Sequence, residues 1–247
     1  MRRPNVGRPW IFAHRGASKA APENTLPAFE AAIRLGADGI ELDVQYSSDG
    51  ALVIFHNDTL EKTSNGADRV TAHTLSELRA LDAGSWFGPS FAGTRIPTLD
   101  EALDLAKGKL LVNVELKVLG TLRSGMGPDA VKAIRAHGMA DQVVISSFNP
   151  FALRQAKGAG PEIECALLLA HDLPGWMRWG VTRRYSRADG LHPDSAMVDE
   201  AYMARARKAS LPVRVWTVDA EDEMRRLIAL GVDAIITNVP DLLAGMV

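Results

Sequence analysis

The chain has 247 residues, 47% of them hydrophobic and 23% charged, with a formal net charge of -2. That is ordinary globular composition; the near-neutral balance gives no electrostatic footprint for a nucleic-acid partner, and no apolar run is long enough to span a bilayer. A single cysteine, Cys165, excludes an intrachain disulfide, and Arg2-Arg3 leads into Pro4 to Pro9 rather than into the apolar core of a secretion signal, so a cytoplasmic protein is the expectation.

The first element is the apolar run Trp10 to Ala13, which ends on His14-Arg15-Gly16. Pro22-Glu23-Asn24-Thr25 then precedes a helical pattern at Leu26, Phe29, Ile33 and Leu35 that stops at Gly36. Glu23 and Asn24 either position a site or belong to the capping of that helix. Gly39 to Val44 is a strand in which Glu41 and Asp43 are two apart and so share a face. Ile40, Leu42 and Val44 make it read as buried on both sides. Two buried acids need something positive between them, and a hard divalent cation with oxygen ligands answers that need. Ser47-Ser48-Asp49-Gly50 is a hairpin turn, and the returning strand Ala51 to His56 brings His56 back beside Glu41 and Asp43.

Ala67 to Thr98 is rich in small and polar residues, with a short helical pattern at Leu75, Leu78 and Leu81 and then loop chemistry from Asp82 to Pro89. It reads as an insertion over the mouth of a larger fold, spanning roughly residues 57–97, too short to bury a core of its own. Trp86, Phe87 and Phe91 either line the entrance or pin the insertion down. Thr98 heads a helix that closes at Gly108, and Leu110 to Lys117 is a strand with Glu115 and Lys117 on one face. Such a pair is either a structural ion pair or a cation ligand beside a phosphate contact. Helices follow at Asp129 to His137, Phe151 to Lys157, Glu200 to Lys208 and Glu221 to Leu230. Strands follow at Val143 to Ser147, Glu164 to Leu169, Asp189 to His192, Val213 to Val218 and Asp233 to Thr237. His171 to Tyr185 is poorly periodic.

Nine segments are strand-like, and one of them returns through a tight hairpin. The other eight are separated by helix-length crossovers, as parallel strands require. This predicts a single α/β domain over 1–247, a (β/α)₈ TIM barrel with a small insertion after the second strand hairpin. Active sites in that fold lie at the C-terminal strand ends, where His14, Glu41, Asp43, Glu115, Phe148, His192 and Trp216 all fall.

The blocks HRG, PENT, ELDV, SSDG, VIFH with DTL and TSNG, IPTLDEAL, VELK, SSFNP, VWTVD and ITNVPD occur in this order along nearly the whole chain. The sequence closely resembles the glycerophosphodiester phosphodiesterase family, whose barrel is of the phospholipase C-like phosphodiesterase type. The resemblance implies hydrolysis of small-molecule glycerophosphodiesters, such as glycerophosphocholine or glycerophosphoethanolamine, to sn-glycerol 3-phosphate and an alcohol. It implies Glu115 as a third ligand beside Glu41 and Asp43 for one divalent cation, Mg²⁺ or Ca²⁺ first and Mn²⁺ next. It also implies His14 and His56 as general acid and base. Arg15 and Lys117 would carry positive charge to the phosphate; Glu23, Trp216 and Phe148 are candidate substrate contacts, with His192 a weaker one. The alternatives are cleavage of an intact lipid by the same barrel end, or a barrel that binds a phosphate or polyol without catalysis. Two residues depart from the family pattern, Asn57 and Asn238, each where aspartate is common. They bear on loop geometry and fine substrate preference. Oligomeric state is open.

Overall fold

A computed structural model of the chain describes residues 7–118, 124–173 and 181–247. The Arg2-Arg3 pair and the middle of the poorly periodic stretch lie outside them. One sheet contains β1 (Trp10–His14), β2 (Gly39–Tyr46), β3 (Leu52–Ile54), β4 (Leu111–Leu116), β5 (Val143–Ser147), β6 (Glu164–Leu169), β7 (Gly190–Pro193), β8 (Arg214–Val215) and β9 (Ala234–Thr237). Eight of these run parallel in the order β7-β6-β5-β4-β2-β1-β9-β8. Two single parallel bridges, Leu191 to Val213 and Asp194 to Trp216, join β7 to β8 and close the ring. β3 pairs antiparallel with β2, outside the ring, with Val44 opposite Ile54. The fold is the (β/α)₈ barrel that the sequence predicts.

The crossovers carry α1 (Leu26–Arg34), α2 (Leu75–Arg79), α3 (Leu99–Ala106), α4 (Met126–Ala136), α5 (Pro150–Ala159), α6 (Val181–Ser186), α7 (Glu200–Lys208) and α8 (Glu221–Leu230), and α9 (Pro240–Ala244) follows the last strand. Local chemistry sets several of their ends. Thr98 and Glu101 form a capping box on α3, satisfying amides that have no partner within the helix. Asn149 accepts from the Phe151 and Ala152 amides with Pro150 in the first turn of α5. No helix among the described residues is long and apolar enough to cross a membrane.

Three elements differ from their sequence patterns. α4 starts at Met126 rather than Asp129; Gly127 and Pro128 occupy its first turn, where a missing amide hydrogen does no harm, and Gly127 lets α5 approach closely. β8 keeps only two residues of the expected Val213 to Val218; beyond them the Trp216 amide and carbonyl bond to Pro193 and Ser195 across the seam, and the Val218 amide returns to Ile236. The insertion does gather a buried cluster, Leu60, Val70, Leu78, Ala83 and Ile96, by borrowing Val53 and Phe55 from β3 and its exit.

The floor of the barrel is polar. Arg214, 1% exposed, donates to Glu164 at 2.6 Å, and its Nη1 lies 3.4 Å from Nε2 of His192. His192 is fully buried, so it belongs to this floor and not to the mouth. Burial and the adjacent Arg214 hold its imidazole well below the usual histidine range.

The turn after β1 depends on Gly16, whose φ is +79°. A Cβ there would sit 2.7 Å from the carbonyl carbon and the Cβ of Ala28, on the backbone that receives the Ala17 amide at 3.0 Å. Overpacking against backbone and a left-handed φ act together, so Gly16→Ala is expected to lower stability by about 2–4 kcal/mol in urea unfolding. A loss below ~1 kcal/mol would mean that this turn relaxes freely.

Candidate active site

At the C-terminal ends of the strands, parallel pairing of β2 with β4 sets Asp43 beside Glu115, and Glu41 precedes Asp43 on the same face. One oxygen from each of Glu41, Asp43 and Glu115 lies within 4.8 Å of the others, and all three residues are buried. Among the described residues this is the one group of three or more such side chains so arranged. Burial, reinforced by Asp43 and Glu115, pushes the Glu41 carboxyl well above its ordinary range. Burial and Asp43 push Glu115 up to about 7, against the pull of Lys117. Burial acts in the same sense on Asp43, but Lys117 and Arg15 outweigh it and hold that carboxyl below its ordinary range.

Two cations are built around this cluster. Lys117 Nζ is 3.0 Å from Glu115 and 3.6 Å from Asp43; these acids raise the ammonium pKa although burial works to lower it. Arg15 Nε lies 3.4 Å from Asp43, and the Arg15 amide donates to Glu41 at 3.1 Å. Glu23 accepts from the Arg15 guanidinium at 2.9 Å and is absent from the cleft wall, so it aims Arg15 into the cluster. Arg15 and Asn24 both have φ of +58°, and the Asn24 amide donates to the Arg15 carbonyl at 2.9 Å. Asn24 then clamps Asp43, donating to its carboxylate at 2.8 Å and accepting its amide at 3.3 Å. The PENT block therefore positions the Asp43 carboxylate, and Asn24 makes no cap on α1, whose cap residue Thr25 has no side-chain cap bond either.

His14, on the end of β1, has Nε2 3.9 Å from Glu41 and Nδ1 2.8 Å from Oδ1 of Asn238. Burial and then the Arg15 charge lower its pKa to about 4. His56 follows β3 and reaches the same cleft from outside the ring. Gln45 holds that exit by donating to the carbonyls of Phe55 and Asn57 at 2.9 and 2.8 Å, and Asn57 Oδ1 lies 3.3 Å from Nδ1 of His56. Burial lowers the His56 pKa, with Asp43 opposing.

His14, Arg15, Glu41, His56, Glu115 and Lys117 thus line one cleft, with Phe148 and Trp216 on its wall. Phe148 is 41% exposed and stands edge-on to Trp216 at 5.6 Å, whose indole donates to the His192 carbonyl at 2.7 Å. Trp86, Phe87 and Phe91 stack edge-on upon one another away from this wall. Sequence reading missed Gln45, which acts through the two carbonyls that it holds. A buried glutamine on a strand is the only signal it leaves.

The donor set suits a hard cation. It is three carboxylate oxygens at a spacing that one ion, about 2.0–2.6 Å from each, can bridge. With Glu23 on Arg15, four carboxylates face two cations. Fully ionised they carry an excess of two negative charges, which one divalent ion would neutralise, so that a phosphodiester monoanion would no longer meet net negative charge.

Residues 14–242 match the glycerophosphoryl diester phosphodiesterase family. A glycerophosphodiester phosphodiesterase of Caldanaerobacter subterraneus subsp. tengcongensis is 42% identical over 238 residues, 96% of this chain and 97% of that protein. Among solved structures, an Oleispira antarctica phosphodiesterase in complex with its product sn-glycerol-3-phosphate superposes with a TM-score of 0.86 at 31% identity, covering 97% and 96% of the two chains. A glycerophosphodiester phosphodiesterase from Agrobacterium tumefaciens is likewise 31% identical, with a TM-score of 0.82 over 96% of this chain and 99% of the other. A match of that extent, on the barrel derived above, makes this chain a member of the glycerophosphoryl diester phosphodiesterase family, a phosphoric diester hydrolase acting on glycerophosphodiesters.

Proposed function

We propose that the enzyme hydrolyses glycerophosphodiesters such as glycerophosphocholine or glycerophosphoethanolamine to sn-glycerol 3-phosphate and the free alcohol. In this reading the reaction depends on a divalent cation and uses His14 and His56 as its acid–base pair. The observation that carries it is one cleft lined by two histidines, two cations, Glu41 and Glu115, with Asp43 completing the three-carboxylate cluster behind them. The product bound to the Oleispira antarctica relative supports the product named here. We read residues 1–247 as one domain, with 57–97 as its insertion.

A phosphodiester monoanion repels nucleophiles, so its charge must be neutralised, the nucleophile deprotonated and the leaving alkoxide protonated. Glu41, Asp43 and Glu115 would hold the cation, Mg²⁺, Ca²⁺ or Mn²⁺, which when bound supplies Lewis-acid polarisation of the phosphoryl oxygens. Arg15 and Lys117 add fixed positive charge where the transition state gathers negative charge. A buried neutral imidazole is a proton acceptor already in place; with two histidines on one cleft, one would take the nucleophile's proton, and the other, having taken up a proton from solvent beside the anionic substrate, would deliver it to the leaving oxygen. Trp216 and Phe148 give an apolar wall for the glycerol carbons.

Release of sn-glycerol 3-phosphate from glycerophosphocholine tests the reading. Turnover is expected with Mg²⁺, Ca²⁺ or Mn²⁺, to vanish in EDTA and to return when the ion is restored; turnover indifferent to EDTA would remove the cation from the mechanism. His14→Ala and His56→Ala should each reduce kcat by ~10²–10⁴-fold, and a variant within threefold of the parent would lose its assigned role.

The carboxylates also set a pH dependence of stability. Glu41 and Glu115 have folded pKa values above their unfolded ones, so the folded state holds extra protons that it gives up as pH rises through about 7. The lowered pKa values of His14, His56 and His192 act in the opposite sense, and their effect is spent about one pH unit above the ordinary histidine value of 6.5. In EDTA the thermal midpoint should therefore fall between pH ~7.5 and ~8.5, where Glu41 and Glu115 still release protons. A saturating divalent cation should flatten that slope, and Glu115→Gln should raise the midpoint in EDTA. A midpoint that rises across this window would contradict the charge balance.

A further inference from the structure

Asn238, one of the two departures from the family pattern, does not sit in a neutral loop position. Its Oδ1 lies 2.8 Å from Nδ1 of His14 and accepts the Ser18 hydroxyl at 2.7 Å. Its other end faces Asp219: the side-chain amide donates to Oδ2 at 2.7 Å and the backbone amide to Oδ1 at 2.8 Å. Thr237 donates its hydroxyl to the same Oδ1 at 3.1 Å, so three donors converge on Asp219.

An amide presents a donor at one end and an acceptor at the other, and its orientation is settled by what surrounds it. A carboxylate that receives the backbone amide of Asn238 and the Thr237 hydroxyl has only acceptor character to offer the Asn238 side chain. The Asn238 nitrogen must therefore face Asp219, and its oxygen must face His14. An oxygen beside Nδ1 demands a hydrogen on Nδ1. The neutral ring then carries its lone pair on Nε2, the atom 3.9 Å from Glu41 in the cleft. We propose that Asn238, oriented by Asp219, is a positioning residue that holds His14 in its Nδ1–H form, so that Nε2 faces the substrate as the proton-accepting atom.

This inference rests on the assignment of His14 to acid–base chemistry, but the tautomer itself can be read without any turnover. In ¹⁵N-histidine-labelled protein with Mg²⁺ at pH ~8, where an ordinary histidine is neutral, long-range ¹H–¹⁵N correlation spectra distinguish a protonated from a bare ring nitrogen. His14→Gln assigns the ring. The parent enzyme is expected to show Nδ1 protonated and Nε2 bare. The reverse pattern overturns the proposal whatever the variants do.

Asp219→Asn offers Asn238 a donor, lets its amide turn over and should convert His14 to the Nε2–H form. The consequence is a loss of ~10–10³-fold in kcat with KM changed much less, the range seen when an orienting partner of a functional histidine is removed. The double variant Asp219→Asn/Asn238→Asp reverses the polarity of the pair: the new amide donates, and the carboxylate beside His14 accepts. It should recover most of the lost kcat and the parent tautomer. A residue that merely packed the loop would give no such recovery from a second substitution at the same contact. Parent-like kcat in Asp219→Asn, or a double variant no better than the single one, overturns the proposal. Should either variant fail to fold, Asn238→Leu, which removes the acceptor without adding charge, must lose the Nδ1–H preference. Activity surviving in His14→Ala would count against the role of His14 while leaving the tautomer assignment standing.

Discussion

Three carboxylates brought together inside a barrel are the constraint to which the rest of the site answers. The parallel register of β2 and β4 sets Asp43 opposite Glu115, and strand alternation adds Glu41 on the same face. Negative charge concentrated in this way, out of water, has to be matched locally. Lys117 from β4 and Arg15 from the turn after β1 supply charge, while the Asn24 side chain and the Arg15 amide supply oriented donors. The left-handed backbone at Arg15 and Asn24 follows from that demand. Each such residue costs about 1–2 kcal/mol, and charge-assisted hydrogen bonds to the buried acids offset it. The strain lies where the donors must converge.

The same constraint explains why the two histidines arrive by different routes. His14 stands on a barrel strand and is fixed through the far end of the chain, by Asn238 after β9. His56 stands on the exit of a hairpin that lies outside the ring, held by Gln45 from β2. One is therefore anchored by the last strand of the barrel and the other by β2, next to the segment that follows the hairpin. The buried cluster shared by β3 and the insertion ties that second unit to the sheet.

Much of this was legible in the sequence because its signals are local. Alternation in Gly39 to Val44 and Leu110 to Lys117 showed which acids share a face, and the Ser47 to Gly50 turn required His56 to come back toward them. Eight strand patterns with intervening helices determined the barrel. What stayed hidden depends on partners distant in the chain. Nothing near Asn238 reveals that it meets a residue 224 positions away, and nothing near Glu23 distinguishes a substrate contact from a guanidinium clamp. The His192 pattern placed it at a strand end as a weaker candidate for substrate contact, yet its side chain faces inward to Arg214, a pairing settled only when β7 and β8 meet. The shortness of β8 is equally invisible in the sequence, because beyond Val215 its backbone bonds alternate between the β7 side, at Trp216, and Ile236 of β9, at Val218.

That seam gives Trp216 two duties. Between β7 and β8 the ring has only isolated bridges, supplemented by the Trp216 backbone contacts to Pro193 and Ser195 and by its indole on the His192 carbonyl. The residue that furnishes a wall of the cleft is also the rivet of the cylinder. The two duties are carried by different atoms: the bridges to Pro193 and Ser195 are made by the backbone and survive any side chain at position 216, whereas the bond to the His192 carbonyl is lost with the indole. Reshaping this wall therefore removes one of the fastenings of the seam and leaves the others.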